Sequence, residues 1–243
     1  MSFYERLSRY YDDVFPFSTD VFAMLTASFP AGASVLDIAC GTGTYSIPLA
    51  EAGYAVTAFD SDPVMVEKAR QKAGQPAGGL NFYVSTMEDM PDLPGKPFDG
   101  IFCIGNSLVH LPDTEAVAAF LGHSRRLLKP GGTAVIQIIN YDRIITKNLT
   151  GLPSLTAPGV VFERNYRLSG DSSTVMFHTR LVITRKEKPE ILEQEIPLLA
   201  LRTAELTGML EEAGFRDMNL FGSFSGSTFD RENSMPFIVR AKA

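Results

Sequence analysis

The sequence has few of the residues that usually form metal centres, disulfide frameworks or nucleic-acid surfaces. Of its 243 residues, two are cysteine, three are histidine and none is tryptophan. Cys40 and Cys103 both lie in apolar runs without metal-ligand spacing, so we expect two buried thiols. The formal net charge of −6 provides no basic surface for contacts with phosphates. The composition therefore argues against a metal site, a disulfide and a nucleic-acid partner.

Long apolar runs are also lacking. The chain has no uncharged apolar run of about 18 residues, the length that a membrane-spanning helix requires. The first residues, MSFYERLSRYYDD, contain acids and tyrosines where a signal peptide would have an apolar core. We therefore expect a soluble, cytoplasmic protein with no membrane partner. A hydrophobic content of 45% is ample for the core of one domain.

Strand-like and helical segments alternate over the first 140 residues. Gly53 is a typical residue to end the first helix, and Asp62-Pro63 is a typical start for the second. The strand-like runs are 34–40, 55–59, 80–84, 98–104 and 133–139. This alternation predicts an α/β fold with a doubly wound, mostly parallel sheet that binds its ligand at the carboxyl ends of the strands.

The pattern changes after Asn140. The segments 162–168, 174–184 and 192–201 are extended and separated by turn-forming or charged stretches, which predicts an antiparallel β insert after the fifth strand. Thr203 can cap a helix that ends at Gly214, and two closing strands, 218–224 and 236–240, bring the sheet to seven. We predict a core of residues 1–140 and 203–243, with an N-terminal helical cover (1–30), and a lid of residues 141–202.

The stretch 35–53 combines an acid with two closely spaced glycines at the mouth of a helix. Glycines let the chain approach a nucleoside-bearing ligand without a Cβ in the way. In the dinucleotide fingerprint GxGxxG the third glycine is essential for packing, but Ser46 holds that position here. Asp37 would repel a pyrophosphate and attract a ligand with an ammonium or sulfonium charge. S-adenosylmethionine is such a ligand.

Two further segments can complete a nucleoside site. Asp60 ends the second strand about twenty residues beyond the turn, where an acid can accept both hydrogens of a ribose diol. Its alternative role is to cap the strand end. The loop after the third strand contains Met87, which lies where an adenine ring would be covered.

These residues together resemble the motifs of the class I S-adenosylmethionine-dependent methyltransferases. Asp37, Ala39, Gly41 and Gly43 occupy the D-x-A/G-x-G-x-G positions, and 58–63, 86–89 and 98–106 resemble the later motifs. The resemblance covers residues 30–140 and implies the Rossmann-like methyltransferase fold with S-adenosylmethionine as cofactor. The cofactor contacts that it implies are Tyr11, Asp37, Ala39, Gly41, Thr42, Gly43, Asp60, Ser61, Met87, Glu88, Ile104 and Asn106.

A closer resemblance links residues 104–113 and 140–142 to glycine N-methyltransferases. Those enzymes have an arginine before their Asn-Tyr-Asp sequence that clamps the substrate carboxylate, whereas this chain has Ile139. Apolar Ile139 cannot form a bidentate salt bridge, so the resemblance does not extend to glycine itself. The insert is similar to that of bacterial methyltransferases that act on small molecules, including sugar-amine N-methyltransferases. A small-molecule methyl acceptor is implied, with N-methylation favoured over O-methylation.

Several side chains are candidates for chemistry or for packing. His110 follows the fourth strand and can act as a catalytic base or as a structural histidine, since an amine acceptor can arrive already neutral. His123 and His178 lack ligand spacing and are expected to be structural. An aromatic N-terminal cover, with Tyr11 as the cofactor contact, is formed by Tyr4, Tyr10, Tyr11, Phe15 and Phe17, unless these rings only pack on the sheet. Arg164, Arg167 and Arg180 either recognise an anionic substrate or face solvent.

Three alternatives have different signatures. Methyltransferases that act on adenine bases or glutamine carry an Asn/Asp-Pro-Pro-aromatic loop after the fourth strand, and here that loop reads Gly105-Asn106-Ser107-Leu108. A non-catalytic nucleoside-binding protein would bind the cofactor without transferring a methyl group. A dinucleotide-binding oxidoreductase would bind NAD instead. The sequence does not indicate an oligomeric state.

Overall fold

Helices and strands alternate along the chain in the computed structural model, which describes residues 6–74, 79–94, 97–170, 172–185 and 188–243. Two helices come first, α1 (Tyr11–Val14) and α2 (Thr19–Ser28). The units that follow are β1 (Ser34–Ile38), α3 (Ser46–Glu51), β2 (Ala55–Asp60), α4 (Pro63–Ala73), β3 (Leu80–Val84), β4 (Phe98–Cys103), α5 (Thr114–Leu127) and β5 (Leu128–Ile139). Short 3₁₀ helices span Met90–Asp92 and Ser107–His110.

The second half of the chain contains a further sheet and then returns to the first. The elements are α6 (Tyr141–Thr146), β6 (Gly151–Ala157), β7 (Val160–Leu168), β8 (Thr174–Ile183), β9 (Glu190–Leu199), α7 (Thr203–Glu212), β10 (Arg216–Phe221) and β11 (Pro236–Lys242). Among the described residues, no helix has the length and apolar character needed to cross a bilayer.

The main sheet has seven strands in the order β10-β11-β5-β4-β1-β2-β3. Strands β1 to β5 pair in parallel, and β11 runs antiparallel to both of its neighbours. β6 to β9 form a separate antiparallel sheet inserted after β5. The predicted fold class, a doubly wound and mostly parallel seven-stranded sheet with an antiparallel insert, is confirmed.

Helices cover both faces of the main sheet because its central strands are apolar on both sides. In β1, Leu36 and Ile38 join one buried cluster with α5 and α7, whereas Val35 joins the other with α2, α3 and α4. Both cysteines are free and buried in these clusters. The strand ends on one edge of this sheet are therefore the part of the core where a ligand can reach the backbone.

Local signals explain where several helices begin and end. The Asp62 carboxylate accepts a hydrogen bond from the backbone N–H of Val64 at 2.7 Å, and Pro63 opens α4, as the sequence predicts. Gly53 follows α3 with φ of 91°, a left-handed conformation that suits glycine.

The cap predicted for the helix after the insert is wrong. Thr203 is the first residue of α7, and its side chain does not cap the helix. Its backbone N–H and its hydroxyl instead donate to Asp142 at 2.9 and 2.6 Å. Arg231 also donates to this carboxylate, at 2.5 Å, and Asp142 is only 3% exposed. Asp142 therefore joins the start of the insert to its end, which the sequence pattern does not reveal.

The insert also has more structure than predicted. The sequence predicts three extended segments, whereas the structure has four strands and the helix α6. Gly151 and Pro153 make β6 resemble a loop in sequence, but β6 is an edge strand, where proline is tolerated because one side of the strand needs no hydrogen-bond donor.

Candidate active site

The carboxyl ends of β1 and β2 place two acids beside one turn. Asp37 lies in β1 and pairs in register with Ala58 of β2 and Phe102 of β4. Asp60 is the last residue of β2. Because parallel strands end at the same edge of a sheet, the turn that leaves β1 lies between these two carboxyl groups.

The turn after β1 has a backbone that requires small residues. Ala39, Gly41 and Gly43 have φ values of 59°, 55° and 73°, all in the left-handed region. A Cβ on Gly43 would lie 2.9 Å from Cζ of Phe82, and one on Gly41 would lie 3.2 Å from the Tyr11 hydroxyl. Ala39 holds a left-handed conformation without being glycine, a strained state that clusters at functional sites.

Asp60 fixes the turn through both of its oxygens. Oδ2 accepts a hydrogen bond from the Gly41 N–H and Oδ1 accepts one from the Asp62 N–H, each at 2.9 Å. Burial raises the pKa of Asp60 above its usual value. Each carboxylate oxygen has a second acceptor site, so Asp60 can also accept from a diol. The strand-end role and the ribose role considered for this residue are thus compatible.

Asp37 is more deeply buried, with 3% of its surface exposed. Desolvation raises its pKa to about 7, and the nearby charge of Asp60 adds to that rise. Its one hydrogen-bond donor in the described part of the chain is the hydroxyl of Ser46, at 2.5 Å, which only partly offsets the burial. Ser46, which replaces the third glycine of the dinucleotide fingerprint, is therefore the partner of Asp37, a role that the sequence analysis missed.

The cover predicted from the N-terminal aromatics lies partly on this turn. Tyr11 packs against Gly41, and its ring lies 4.9 Å from that of Phe15. Next to it, Asp12 accepts a hydrogen bond from the Thr42 hydroxyl at 2.5 Å and pairs with Lys72 of α4 at 2.9 Å. The predicted contact Thr42 is buried and faces this cluster. Tyr4, also assigned to the cover, lies outside the described residues.

The remaining cofactor candidates follow the next strand ends. Ser61 comes directly after β2 and is exposed. Met87 is half-buried against the main core, and Glu88 beside it is exposed. Ile104 follows β4 and is half-buried. All four follow the carboxyl end of a parallel strand, and these ends lie along the same edge of the sheet as Asp37 and Asp60.

Asn106 connects the ends of β4 and β5. Its backbone is in the left-handed region, with φ of 68°. The side-chain Oδ1 accepts a hydrogen bond from the Ile139 N–H at 2.8 Å, and Nδ2 donates one to the Tyr141 hydroxyl at 3.1 Å. Tyr141 is completely buried, and burial raises its pKa. This second partner was not singled out in the sequence, although it belongs to the Asn-Tyr-Asp stretch that carried the resemblance.

His110 ends the 3₁₀ helix that follows Asn106, and this helix packs against β5 and the insert strand β9. His110 is partly exposed to solvent, and its side chain makes no hydrogen bond to any described residue. Desolvation lowers its pKa, so its imidazole is neutral near pH 7. A neutral, unpartnered imidazole at this place can accept a proton.

The other two histidines are not at the strand ends of the main sheet. His123 is in α5 and has a buried Nδ1 without a hydrogen-bond partner, and His178 is in β8. The described residues contain no group of three or more histidine, cysteine or acidic side chains that could hold a metal ion.

Comparisons with known proteins point to one kind of domain. Residues 35–132 match the family described as a methyltransferase domain. The chain is 28% identical over 211 residues to a glycine/sarcosine N-methyltransferase from Aphanothece halophytica. The matched region covers 86% of this chain and 75% of that protein. It is 36% identical over 110 residues to a ubiquinone biosynthesis O-methyltransferase from Xylella fastidiosa (strain 9a5c), covering 45% of this chain and 43% of that one.

The fold has solved counterparts as well. A structure of an S-adenosylmethionine-dependent methyltransferase from Clostridium acetobutylicum ATCC 824 superposes with a TM-score of 0.79 and covers 99% of both chains. The sequence identity is 16%, so this likeness concerns the fold.

Proposed function

We propose that this chain is a class I S-adenosylmethionine-dependent methyltransferase that methylates a small molecule, preferentially at nitrogen. The matches to a methyltransferase domain, to a glycine/sarcosine N-methyltransferase and to the fold of a solved methyltransferase support this proposal. S-adenosylmethionine is the cofactor. When bound, it supplies a methyl group on a positively charged sulfur. We further propose which kind of molecule accepts this methyl group and which residues bind the donor and the acceptor.

The observation that carries the proposal is the pair of acids around the glycine turn, of which Asp37 is buried and Asp60 is half-buried. Asp37 is only 3% exposed and shares one short edge with Asp60. Two carboxyl groups at such close range disfavour a polyanionic dinucleotide and favour a cationic ligand with a ribose. We assign Asp60 to the ribose hydroxyls and Asp37 to the positive end of the donor. The turn 39–43 approaches the ligand through its backbone, and Met87 covers the adenine.

Methyl transfer depends mainly on positioning and on exclusion of water. In our proposal the insert, residues 141–202, is the lid of the acceptor pocket, and the cover at α1 closes the donor side through Tyr11. Asn106 links the ends of β4 and β5, which form the bottom of the proposed acceptor pocket. His110 takes up the proton that the acceptor loses, since its neutral imidazole has no partner in the described part of the chain.

N-methylation is favoured by the glycine/sarcosine relative, which covers most of this chain. The ubiquinone biosynthesis relative favours transfer to oxygen, but it matches only 45% of the chain. A nucleic-acid substrate is not part of the proposal, given the net charge of −6. The cytoplasmic location stays a prediction from the sequence.

Two measurements test the proposal. Calorimetry with S-adenosylmethionine, S-adenosylhomocysteine and NAD should show binding of the first two, and binding of NAD alone would contradict it. Incubation of the protein with labelled S-adenosylmethionine and a metabolite extract should then yield a labelled small molecule whose methyl group is on nitrogen. A methyl group recovered on oxygen would show that the protein is an O-methyltransferase instead. Label recovered only in RNA or protein would overturn the proposed substrate class.

A further inference from the structure

The inner face of the insert is polar in its middle and apolar on both sides. Alternate residues of its strands share a face, and the register places Arg164 of β7 beside Thr179 of β8, which lies beside Gln194 of β9. The row on one side of them is Phe162, Leu181 and Leu192, and the row on the other side is Tyr166, Phe177 and Ile196. Thr179 is 3% exposed, so this polar band belongs to the interior face of the sheet.

The two apolar rows contact opposite ends of the active site. Phe162 packs edge-on against Phe15 at 5.6 Å, next to Tyr11 and the glycine turn. Tyr166 lies close enough to Tyr141 for the two hydroxyl groups to influence each other electrostatically. The polar band therefore spans the space between the donor turn and the ends of β4 and β5, where the acceptor has to lie.

Arg164 differs from the other two arginines on these strands. Arg167 pairs with Glu195 at 2.6 Å, and Arg180 pairs with two acids, Glu163 and Glu193. Within the described residues, Arg164 has no carboxylate partner. Its Nε and Nη2 donate to the carbonyl of Pro153 at 3.2 and 2.5 Å, and its Nη1 makes no hydrogen bond to any residue that the structure describes.

The surroundings of Arg164 make this lack of an anion costly. The side chain is half-buried, and desolvation lowers the pKa of its guanidinium. A partly desolvated cation is stabilised when an anion completes its hydrogen bonds. The Tyr166 hydroxyl is a second donor without an acceptor among the described residues, although Tyr166 is only 7% exposed. Burial raises the pKa of Tyr166 to about 12, so the group stays protonated and able to donate.

We infer that Arg164 and Tyr166 bind a carboxylate of the methyl acceptor, which is then an amine that also carries an acid group. This inference rests on the proposed function and deepens it. A single guanidinium among neutral hydroxyl groups balances one negative charge, which suits a carboxylate better than a doubly charged phosphate. Glycine N-methyltransferases have an arginine where this chain has Ile139 at the end of β5. In our inference, Arg164 of the insert provides the positive charge instead.

The test compares Arg164→Gln with Arg167→Gln, a change on the same strand that removes an exposed, ion-paired guanidinium. The probes are α-amino acids of increasing size, from glycine upward, each paired with its carboxamide, which keeps the amine and removes the charge. We expect the wild-type protein to methylate one or more acids in preference to their amides. Arg164→Gln should raise KM for those acids about 10- to 100-fold, leave the amides unchanged and leave the affinity for S-adenosylmethionine intact. Arg167→Gln should behave as wild type.

A binding measurement keeps this inference separate from the proposed function. The complex with S-adenosylhomocysteine is heated with each acid or amide, and acids should raise its melting temperature in the wild-type protein but not in Arg164→Gln. If no labelled acceptor is found at all, the proposed function fails. The change in melting temperature still shows whether Arg164 binds a carboxylate. The inference is overturned if no acid stabilises the complex more than its amide, if Arg164→Gln keeps the preference, or if the acceptor recovered from an extract has no carboxylate.

Discussion

Asp37 carries a carboxyl group that the fold buries at the tip of a parallel strand. Its ordinary pKa is about 3.9, and burial raises it to about 7. In the absence of a ligand the raised pKa favours the protonated, folded form, so this group's contribution to stability is complete below about pH 4 and is lost as the pH rises through about 7. A cationic ligand has the opposite requirement, since it needs the ionised carboxylate.

We therefore predict that the affinity for S-adenosylmethionine increases with pH through neutrality. For a folded pKa of about 7, the ionised fraction of Asp37 rises about tenfold between pH 6 and pH 8, and the dissociation constant should fall by a similar factor. Calorimetric titrations across this range measure the effect. Asp37→Asn should bind more weakly and with little pH dependence. A wild-type affinity that is constant over the range would show that Asp37 does not face the positive charge of the donor.

His110 allows a prediction about proton transfer. If its neutral imidazole takes the acceptor's proton, His110→Gln should lower kcat about 100-fold near pH 7. The loss should shrink at higher pH, where an amine acceptor is already neutral in solution. His178→Gln, on the insert strand β8, is the control and should retain full activity. Equal rates for wild type and His110→Gln across the pH range would leave His110 with a structural role.

The glycine turn gives a prediction at the level of one connection between elements. Gly43 is left-handed and a Cβ there would lie 2.9 Å from Phe82 and 3.3 Å from Ala69, whereas a Cβ on left-handed Gly53 would have no atom within 4 Å. Alanine at either position strains the backbone by about 1–2 kcal/mol, and only at Gly43 does it add overpacking of about 1–3 kcal/mol.

Thermal unfolding of Gly43→Ala and Gly53→Ala measures the difference. We expect the first variant to melt several degrees below the second, since about 1 kcal/mol corresponds to about 2–4 °C in a domain of this size. Gly43→Ala should also weaken cofactor binding, because the turn must move away from β3. Similar melting temperatures for the two variants would mean that the contact with Phe82 relaxes easily.

The elements that the sequence reveals are those with local signals. β1 to β5 are short apolar runs between recognisable helix ends, so the sheet is predictable from the sequence. The turn after β1 carries its own motif, which predicts where the proposed donor site lies. The insert is less predictable. β6 contains Gly151 and Pro153, residues that suit a strand only at the edge of a sheet. The proposed role of Arg164 depends on a register with β8 that no local pattern specifies.

Across the whole molecule, the N-terminal segment connects the core to the insert. Asp12 pairs with Lys72 of the core, whereas its neighbour Asp13 pairs with Arg185 after β8. Arg6 pairs with Glu190 of β9, and Val14 is buried in a cluster with Phe162 and Leu181 of the insert. Movement of α1 away from the glycine turn would therefore break contacts with the core, at Lys72 and Thr42, and with the insert.

We predict that Asp12→Asn loosens the cover without unfolding the protein. An exposed ion pair contributes about 0–1 kcal/mol to stability, so the melting temperature should change little. Hydrogen exchange at α1 should increase, and S-adenosylmethionine should dissociate several-fold faster in stopped-flow measurements. Asp20→Asn, in α2, is the matched control. An unchanged dissociation rate would show that α1 does not retain the cofactor.

Asp142 has a consequence for how such a protein can diversify. The chain leaves the seven-stranded core at Tyr141 and returns at Thr203, and the Asp142 carboxylate holds these two junctions together. The 60 residues between Asp142 and Thr203 can thus be exchanged as one unit whose ends are already held together, at little entropic cost for a longer or shorter replacement. If the insert selects the acceptor, as we propose, grafting a foreign insert between these junctions redirects methyl transfer to another acceptor and leaves the proposed donor site unchanged.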